Sequence, residues 1–104
     1  MHALQALADP TRREIVELLA EGERNAGEIA SRFRVSRPAV SRHLRVLREH
    51  GLVRSRRERQ QRIYSLDPGP LEELDAWLER YRTFWTTRLD ALDVELRRTR
   101  KERR

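Results

Sequence analysis

Three signals for the start of a helix lie within the first 36 residues of this 104-residue chain, and they restrict that part of the chain to short helices. Asp9 precedes Pro10, which pairs an N-cap acceptor with a residue suited to the first helical position. Asn25 and Glu28 have the spacing of a capping box. Ser36 is a third candidate cap. The sequence therefore predicts helices that begin directly after positions 9, 25 and 36.

Each predicted helix carries apolar residues at helical spacing, and a further short set opens the chain. The sets are Ala3, Leu4, Ala6 and Leu7; Ile15, Val16, Leu18 and Leu19; Ile29, Ala30 and Phe33; and Val40, Leu44 and Leu47. Gly22 and Gly51 follow the second and fourth sets, and glycine commonly stands directly after a helix. Roughly two residues separate the third helix from Ser36, so the third and fourth helices form a helix-turn-helix unit.

The periodicity changes after Gly51. Residues 52–57 and 62–66 are β-compatible runs on either side of a polar connection, which predicts a hairpin that packs against the helices. Residues 67–70 (DPGP) then interrupt the chain. Beyond them apolar side chains recur at steps of three or four: Leu71, Leu74, Leu78, Tyr81, Trp85, Leu89, Leu92 and Leu96, with Trp77 and Phe84 beside them. They predict a long helix over about residues 70–96. The predicted fold is therefore mainly α-helical with a small β-hairpin, in the order α-α-α-α-β-β-α.

Positive charge is concentrated in one segment. Residues 32–62 contain eleven arginines and two acids, a sum of +9, whereas residues 1–31 sum to −3 and residues 63–104 to 0. A localised basic segment is typical of a protein that binds the phosphate backbone of a nucleic acid. A solvated charged face is the alternative interpretation. It is disfavoured because nine of these arginines belong to one helix and one hairpin.

In a helix-turn-helix unit the second helix enters the major groove, and its first turns contact base edges. With the apolar set turned inward, the outward residues of this helix are Arg37, Pro38, Ser41, Arg42, Arg45 and Arg48. We expect Arg37 and Arg42 to bind guanine, and the two later arginines to bind phosphates. The hairpin supplies a second group that we expect to hold the backbone or the minor groove: Arg56, Arg57, Arg59, Gln60, Gln61 and Arg62.

Three segments of the chain resemble the ArsR/SmtB family of winged-helix transcription regulators. They are LADPTRREI at 7–15, VSRPAVSRHLRVLREHGLV at 35–53 and RIYSL at 62–66, and the resemblance covers about residues 3–96. It implies a homodimer that binds a near-palindromic operator and usually represses transcription, in some cases of its own gene. By position it places base contacts at Arg37, Ser41 and Arg42. Arg37 stands where related sequences often carry glutamine, and the hairpin tip, Arg59–Gln60, lacks the glycine commonly found there.

The charge and apolar patterns, together with this resemblance, indicate how the chain is organised. We expect residues 1–96 to form a winged helix-turn-helix domain that includes a dimerisation helix, and residues 97–104 to form a basic, disordered tail. The apolar stripe of the long helix is too long for one copy to cover. The expected dimer interface comprises Leu4, Leu7, Leu74, Trp77, Leu78, Tyr81, Trp85, Leu89 and Leu92. A helix packed wholly on its own domain and an aromatic pocket for an apolar ligand are the alternatives.

Several classes of site and of protein are not expected. The chain has no cysteine, which removes disulfides and the Cys-x-Cys metal site of some relatives. The long helix offers aspartates but no histidine, and His43 and His50 are too far apart to share an ion. We therefore expect no cofactor and no thiolate- or histidine-bound metal; the identity of any effector stays open.

The class of protein can be narrowed as well. No enzyme motif appears, so the chain is not expected to be an enzyme. Neither a signal peptide nor a membrane span is evident, so a cytoplasmic protein is expected. The remaining alternatives are a non-specific nucleic-acid binder and a protein-interaction module.

Overall fold

Five helices and three strands follow one another in residues 2–102, the part of the chain that the computed structural model describes. They are α1 (His2–Ala6), α2 (Pro10–Ala20), β1 (Arg24–Asn25), α3 (Ala26–Ser31), α4 (Arg37–Glu49), β2 (Val53–Glu58), β3 (Gln61–Leu66) and α5 (Pro68–Glu102). The predicted fold class is confirmed, and the order differs only by the added strand β1. The chain divides into two units after Leu74.

The three predicted helix starts are confirmed. The side chains of Asp9, Asn25 and Ser36 each accept a hydrogen bond from the backbone N–H three residues later, at 3.0, 2.8 and 3.3 Å. Glu28 completes the capping box by accepting from the backbone N–H of Asn25 at 3.1 Å. Caps of this kind each stabilise a helix by about 1 kcal/mol. These caps fix where α2, α3 and α4 begin.

The turn between α3 and α4 is longer than predicted. α3 ends at Ser31, so residues 32–36 join the two helices rather than roughly two residues. The backbone N–H groups of Arg32 and Phe33 bond three residues back, to Ile29 and Ala30, at 3.1 and 3.3 Å. Such bonds tighten the last turn of a helix into the 3₁₀ form and end the α-helical pattern early.

Gly51 ends α4 as predicted, and here its lack of a side chain matters. Its φ of 74° lies in the left-handed region. Its N–H bonds to the carbonyl of Arg48 at 2.9 Å, and the N–H of Leu52 bonds to the carbonyl of Leu47 at 2.9 Å. This pair of bonds is the Schellman motif. It turns the chain directly from α4 into β2.

The sheet has the antiparallel order β1-β3-β2. β2 and β3 pair in register from Val53↔Leu66 to Glu58↔Gln61, which forms the predicted hairpin. β1 adds Arg24↔Tyr64 and Asn25↔Ile63 on the other side of β3. Two residues cannot show an alternating pattern, so the sequence gives no local signal for β1. The third strand attaches the hairpin to the segment that begins α3.

One apolar core holds the first unit together. Its buried residues are Ala3, Ala6, Ile15, Leu18, Leu19, Ile29, Val40, Leu44, Leu47, Leu52, Val53 and Tyr64, with Leu7, Phe33, Leu66 and Leu71 among those packed around them. The inward residues of α4 are at most 1 % exposed. Burial of such a side chain contributes about 1.5–3 kcal/mol. The core therefore presents the opposite face of α4 to solvent.

α5 begins inside the segment that was predicted only to interrupt the chain. Prolines fit the first turn of a helix because their missing N–H would have no partner there. Asp67 caps this turn, since its Oδ1 accepts from the backbone N–H of Gly69 at 3.0 Å. DPGP is thus both the end of β3 and the start of α5.

α5 remains helical through Glu102, so residues 97–102 of the expected disordered tail are helical, and residues 103–104 of that tail lie outside the described residues. Arg97 pairs with Asp93 at 3.0 Å, one turn apart, and Arg100 and Lys101 occupy the last turn. Cations there interact favourably with the helix dipole, which is a physical reason for the extension. None of the helices described in residues 2–102 combines the length and the hydropathy needed to cross a membrane.

Candidate nucleic-acid interface

The outward face of α4 carries the residues that were predicted to contact DNA. Arg37, Pro38, Ser41, Arg42 and Arg45 are exposed and Arg48 is half-buried. They occupy this face because the apolar residues of the same helix are turned into the core. Helical periodicity therefore separates a buried stripe from a basic one.

A cleft of about 590 Å³, here called the α4–β3 cleft, joins this face to the hairpin. Its lining residues are Pro38, Ser41, Arg42, Arg45, Arg48, Arg62 and Tyr64. Arg48 also ties the two elements together, because its Nη1 donates to Ser55 Oγ on β2 at 3.3 Å. Four guanidinium groups around one cleft favour a polyanionic ligand.

A second cleft of about 320 Å³, the α3–hairpin cleft, lies at the start of α3. It is lined by Asn25, Ala26, Gly27, Arg37, Gln60, Gln61 and Arg62. Arg37 and Arg42, which were predicted to act alike, thus line different clefts. Arg62 lines both clefts. Sequence analysis did not identify Gly27 or Tyr64 as part of the interface.

Asn25 holds the hairpin against the helix-turn-helix unit. Its Oδ1 caps α3, its backbone pairs with Ile63, and its Nδ2 donates to Gln61 Oε1 at 3.2 Å. The sequence shows the capping role but no sign of the last contact. Asn25 therefore connects the start of α3 to β3 through both its backbone and its side chain.

Arg56, which the sequence assigns to the DNA-binding group, forms two ion pairs within the chain. Its Nη1 lies 2.7 Å from Glu23 Oε1 and its Nη2 lies 3.3 Å from Glu58 Oε2. The hydrogen bond and attraction to Glu23 raise the pKa of Arg56, and the same contact lowers the pKa of Glu23. Arg54 is likewise paired, with Asp67 at 2.9 Å. Glu23 and Asp67 lie outside β2, where local patterning does not indicate the pairing, whereas Glu58 stands two residues from Arg56 on the same face of β2.

Several predicted contacts remain unpaired. Among the residues that the structure describes, no acidic side chain lies within 4.0 Å of Arg37, Arg42, Arg48, Arg57, Arg59 or Arg62. Arg45 has a loose contact with Glu49 at 3.9 Å. Arg57, Arg59 and the two glutamines at 60 and 61 are exposed along the hairpin. The unpaired arginines thus extend from α4 across to the hairpin.

The hairpin tip places an arginine at a backbone position that usually holds glycine. Arg59 has a φ of 59°, the left-handed region that glycine adopts without strain. An arginine in this conformation costs about 1 kcal/mol or more. The expectation of an unusual tip without glycine is therefore matched by a strained residue in the structure.

His43 lies beneath the basic face rather than on it. Its side chain is 19 % exposed, and its Nδ1 lies 4.0 Å from Asp9 Oδ1. A backbone hydrogen bond from the N–H of Arg12 is the main cause that lowers the pKa of Asp9. Within residues 2–102, no three His, Asp or Glu side chains are grouped closely enough to hold a metal ion.

Comparison with known proteins agrees with this geometry. The family model for "Bacterial regulatory protein, arsR family" matches residues 9–55, from the cap of α2 into β2. The chain is 52 % identical over 87 residues to the HTH-type transcriptional regulator Rv2034 of Mycobacterium tuberculosis, which covers 84 % of this chain and 78 % of that protein. The chain belongs to the arsR family. The resemblance seen in the sequence is thereby confirmed, and this ArsR-family protein is a DNA-binding transcription regulator.

Two further relatives support the same assignment. The transcriptional repressor SdpR of Bacillus subtilis is 36 % identical over 77 residues, which cover 74 % of this chain and 86 % of SdpR. A crystal structure described as a possible transcriptional regulator for arsenical resistance has a TM-score of 0.72 and 42 % identity. That match covers 91 % of this ArsR-family chain and 96 % of the other. The winged-helix fold is therefore shared over nearly the whole chain.

Proposed function

We propose that this protein is a homodimeric, sequence-specific repressor that binds a near-palindromic operator in double-stranded DNA. The observation that supports this most directly is the continuous face of unpaired arginines from α4 to the hairpin. A helix and a hairpin joined in this way match the major groove and the adjacent backbone. The protein acts by binding, in the cytoplasm, and not by catalysis.

Within this interface the first turns of α4 read the bases. Ser41 and Arg42 are exposed there, and the guanidinium of Arg42 can bind O6 and N7 of guanine together. Arg45, Arg48 and Arg62 lie along the same cleft and neutralise phosphates. Arg57 and Arg59 extend the hairpin contact to the neighbouring backbone. The dimer presents this set twice, with half-sites about one turn of DNA apart.

The second copy is proposed to cover the apolar stripe of α5. Leu78, Tyr81, Trp85, Leu89 and Leu92 are between 39 % and 61 % exposed. A contiguous patch of this kind marks an interaction surface, because monomeric proteins rarely leave one in water. Leu74 and Trp77 are half-buried, whereas Leu7 packs against the core of its own unit and Leu4 is 43 % exposed.

Repression is proposed because an operator-bound dimer blocks access of the transcription machinery, and because SdpR is named a transcriptional repressor. A footprint on the DNA upstream of the gene itself would test autorepression. The effector is proposed not to be a thiolate- or histidine-bound metal ion. A transition metal that released the operator at stoichiometric amounts would contradict this.

Specific binding can be tested by competition. The purified protein selects duplexes from a random library, and the selected duplex is then competed with unselected DNA at about 150 mM salt. We expect a preference of roughly 10³ or more for the selected duplex. Equal competition would instead show a non-specific nucleic-acid binder, and no retardation of any duplex would favour a protein-interaction module.

The oligomeric state requires a separate measurement. Sedimentation velocity on the full chain at micromolar concentration should give a dimer. A monomer under these conditions would exclude the homodimer while leaving the DNA-binding face of each copy in place.

A further inference from the structure

The α3–hairpin cleft differs from the rest of the basic surface in being formed by three elements at once. The start of α3, the first residue of α4 and the start of β3 all contribute to it. Its polar lining consists of the guanidinium groups of Arg37 and Arg62 and the amides of Asn25, Gln60 and Gln61. None of these described lining residues is acidic. The cleft therefore offers hydrogen-bond donors and positive charge to an anion.

Gly27 leaves room for Arg37 in this cleft. A Cβ atom on residue 27 would lie 3.0 Å from Nη2 of Arg37 and 3.4 Å from Oδ1 of Asn25. The first distance is shorter than ordinary van der Waals contact, so any larger residue would displace the guanidinium. Because Nη2 is the far end of a flexible side chain, the displacement would cost little folding energy. Gly27 thus influences where Arg37 stands without being needed for the fold.

We propose that the α3–hairpin cleft binds a phosphate of the DNA backbone, with Arg37 and Arg62 as its cations and Gly27 as the residue that positions Arg37. The inference rests on the proposed function, since DNA must already lie along α4. Arginine suits this role because its planar fork can donate two hydrogen bonds to one phosphate. Arg62 lines both clefts, so one DNA strand can pass from the α4–β3 cleft into this one.

The proposal changes the role expected for Arg37. A phosphate contact adds affinity on every sequence and carries no base preference. Arg37 would then set affinity and register, whereas Arg42, which lines only the α4–β3 cleft of the two, would read the base.

The test is a double-mutant cycle on the full-length dimer, with the duplex that the wild-type protein selects from a random library as the probe. Arg37→Ala should weaken binding about tenfold, the scale of losing one charge-assisted hydrogen bond. The loss should be equal on the selected duplex and on its single-base variants. The slope of log K against log salt should become shallower by about one unit.

Gly27→Ala should weaken DNA binding, and Gly27→Leu should weaken it further. The melting temperature of both variants should equal or exceed that of the wild type, because glycine is a poor helix former. In the Arg37→Ala background, Gly27→Leu should cause no further loss. Arg34→Ala is the charge-matched control, since Arg34 is exposed on the turn and lines neither cleft. We expect a smaller loss for it and no coupling to residue 27.

Two results would overturn the inference. If Arg37→Ala relaxed the preference at one base pair and left the salt slope unchanged, Arg37 would be a base reader and not a phosphate ligand. If the losses from Gly27→Leu and Arg37→Ala simply added, Gly27 would not position Arg37. Failure of the wild-type protein to select any duplex would instead contradict the proposed function. The selection is therefore carried out with the wild-type protein before the variants are measured.

Discussion

α4 and α5 are both amphipathic helices, but in residues 2–102 the apolar side of α4 is fully buried whereas that of α5 is exposed from Leu78 onward. Val40, Leu44 and Leu47 on α4 are at most 1 % exposed, whereas Trp85 and Leu89 on α5 are 59 % and 61 % exposed. The sequence pattern of the two stripes is of the same kind. Periodicity therefore reports which residues share a face, and the surroundings decide what that face does. For α4 the covering surface is its own core, and for α5 we propose a second copy.

The largest effect is expected from the buried face of α4. Leu47→Ala should lower the free energy of unfolding by about 2–5 kcal/mol, because the methyl groups leave a cavity in a closely packed core. Chemical denaturation of the variant and the wild type would measure it at one protein concentration. A loss below about 1 kcal/mol would mean that this core is not packed as tightly as the burial of Leu47 indicates.

The corresponding change on α5 should act on association instead. Leu89→Glu places a charge in the proposed interface, and we expect the dimer dissociation constant to rise by about a hundredfold, or 2.8 kcal/mol. Sedimentation velocity over a concentration series would show it. Glu95→Gln, on the same helix, is a control that should leave the dimer intact. A Leu89→Glu protein that remained dimeric would place the interface elsewhere.

The outward face of α4 should contribute through DNA and not through stability. Arg42→Ala should reduce operator affinity by about 1–3 kcal/mol and relax the preference at one base pair. Arg56→Ala removes the same charge, but Glu23 and Glu58 already hold that guanidinium, so its effect should be much smaller. Titration of a labelled duplex with each protein compares the two. Equal losses would show that the Arg56 ion pairs open when DNA binds.

The smallest effect concerns the start of α5. The backbone N–H of Gly69, followed by Arg54, lowers the pKa of Asp67 below its ordinary value near 3.8. A lowered pKa in the folded state stabilises the fold above that ordinary value, and the contribution is lost as the pH falls through the folded pKa. Asp67→Asn keeps an acceptor for the cap but removes the carboxylate charge, so stability at neutral pH should fall slightly, and the difference from the wild type should vanish at low pH. Its acid-induced loss of stability should be shallower than that of the wild type between about pH 5 and pH 2.

Local signals explain how much of the first unit could be predicted. A cap is satisfied by an N–H three residues away, as at Asn25 and Ser36, so the residues that form it lie together in the sequence. The Schellman turn at Gly51 is equally local. The length of the turn after α3 was misjudged for a different reason. The hydrogen bonds that tighten the end of α3 are local, but no residue type marks them in the sequence.

Contacts between distant residues were not predictable in this way. The hydrogen bond from Asn25 to Gln61 joins residues 36 positions apart, and the pair of Glu23 with Arg56 likewise joins two different elements. Each depends on β1 being added to β3, a step that no repeated pattern announces. The ion pairs of Arg56 were therefore not foreseen, and its role in DNA binding stays a prediction.

The sequence by itself determined the helix starts, the apolar faces, the family and the segment that carries the positive charge, because each of these is written in neighbouring or regularly spaced residues. Only the tertiary structure decided which arginines stay free, which are neutralised, and that Arg37 lies over Gly27 apart from Arg42. The physical reason is that charge and hydrogen bonding act between atoms a few ångströms apart in space. That proximity arises only when the sheet, α3 and α4 have packed together.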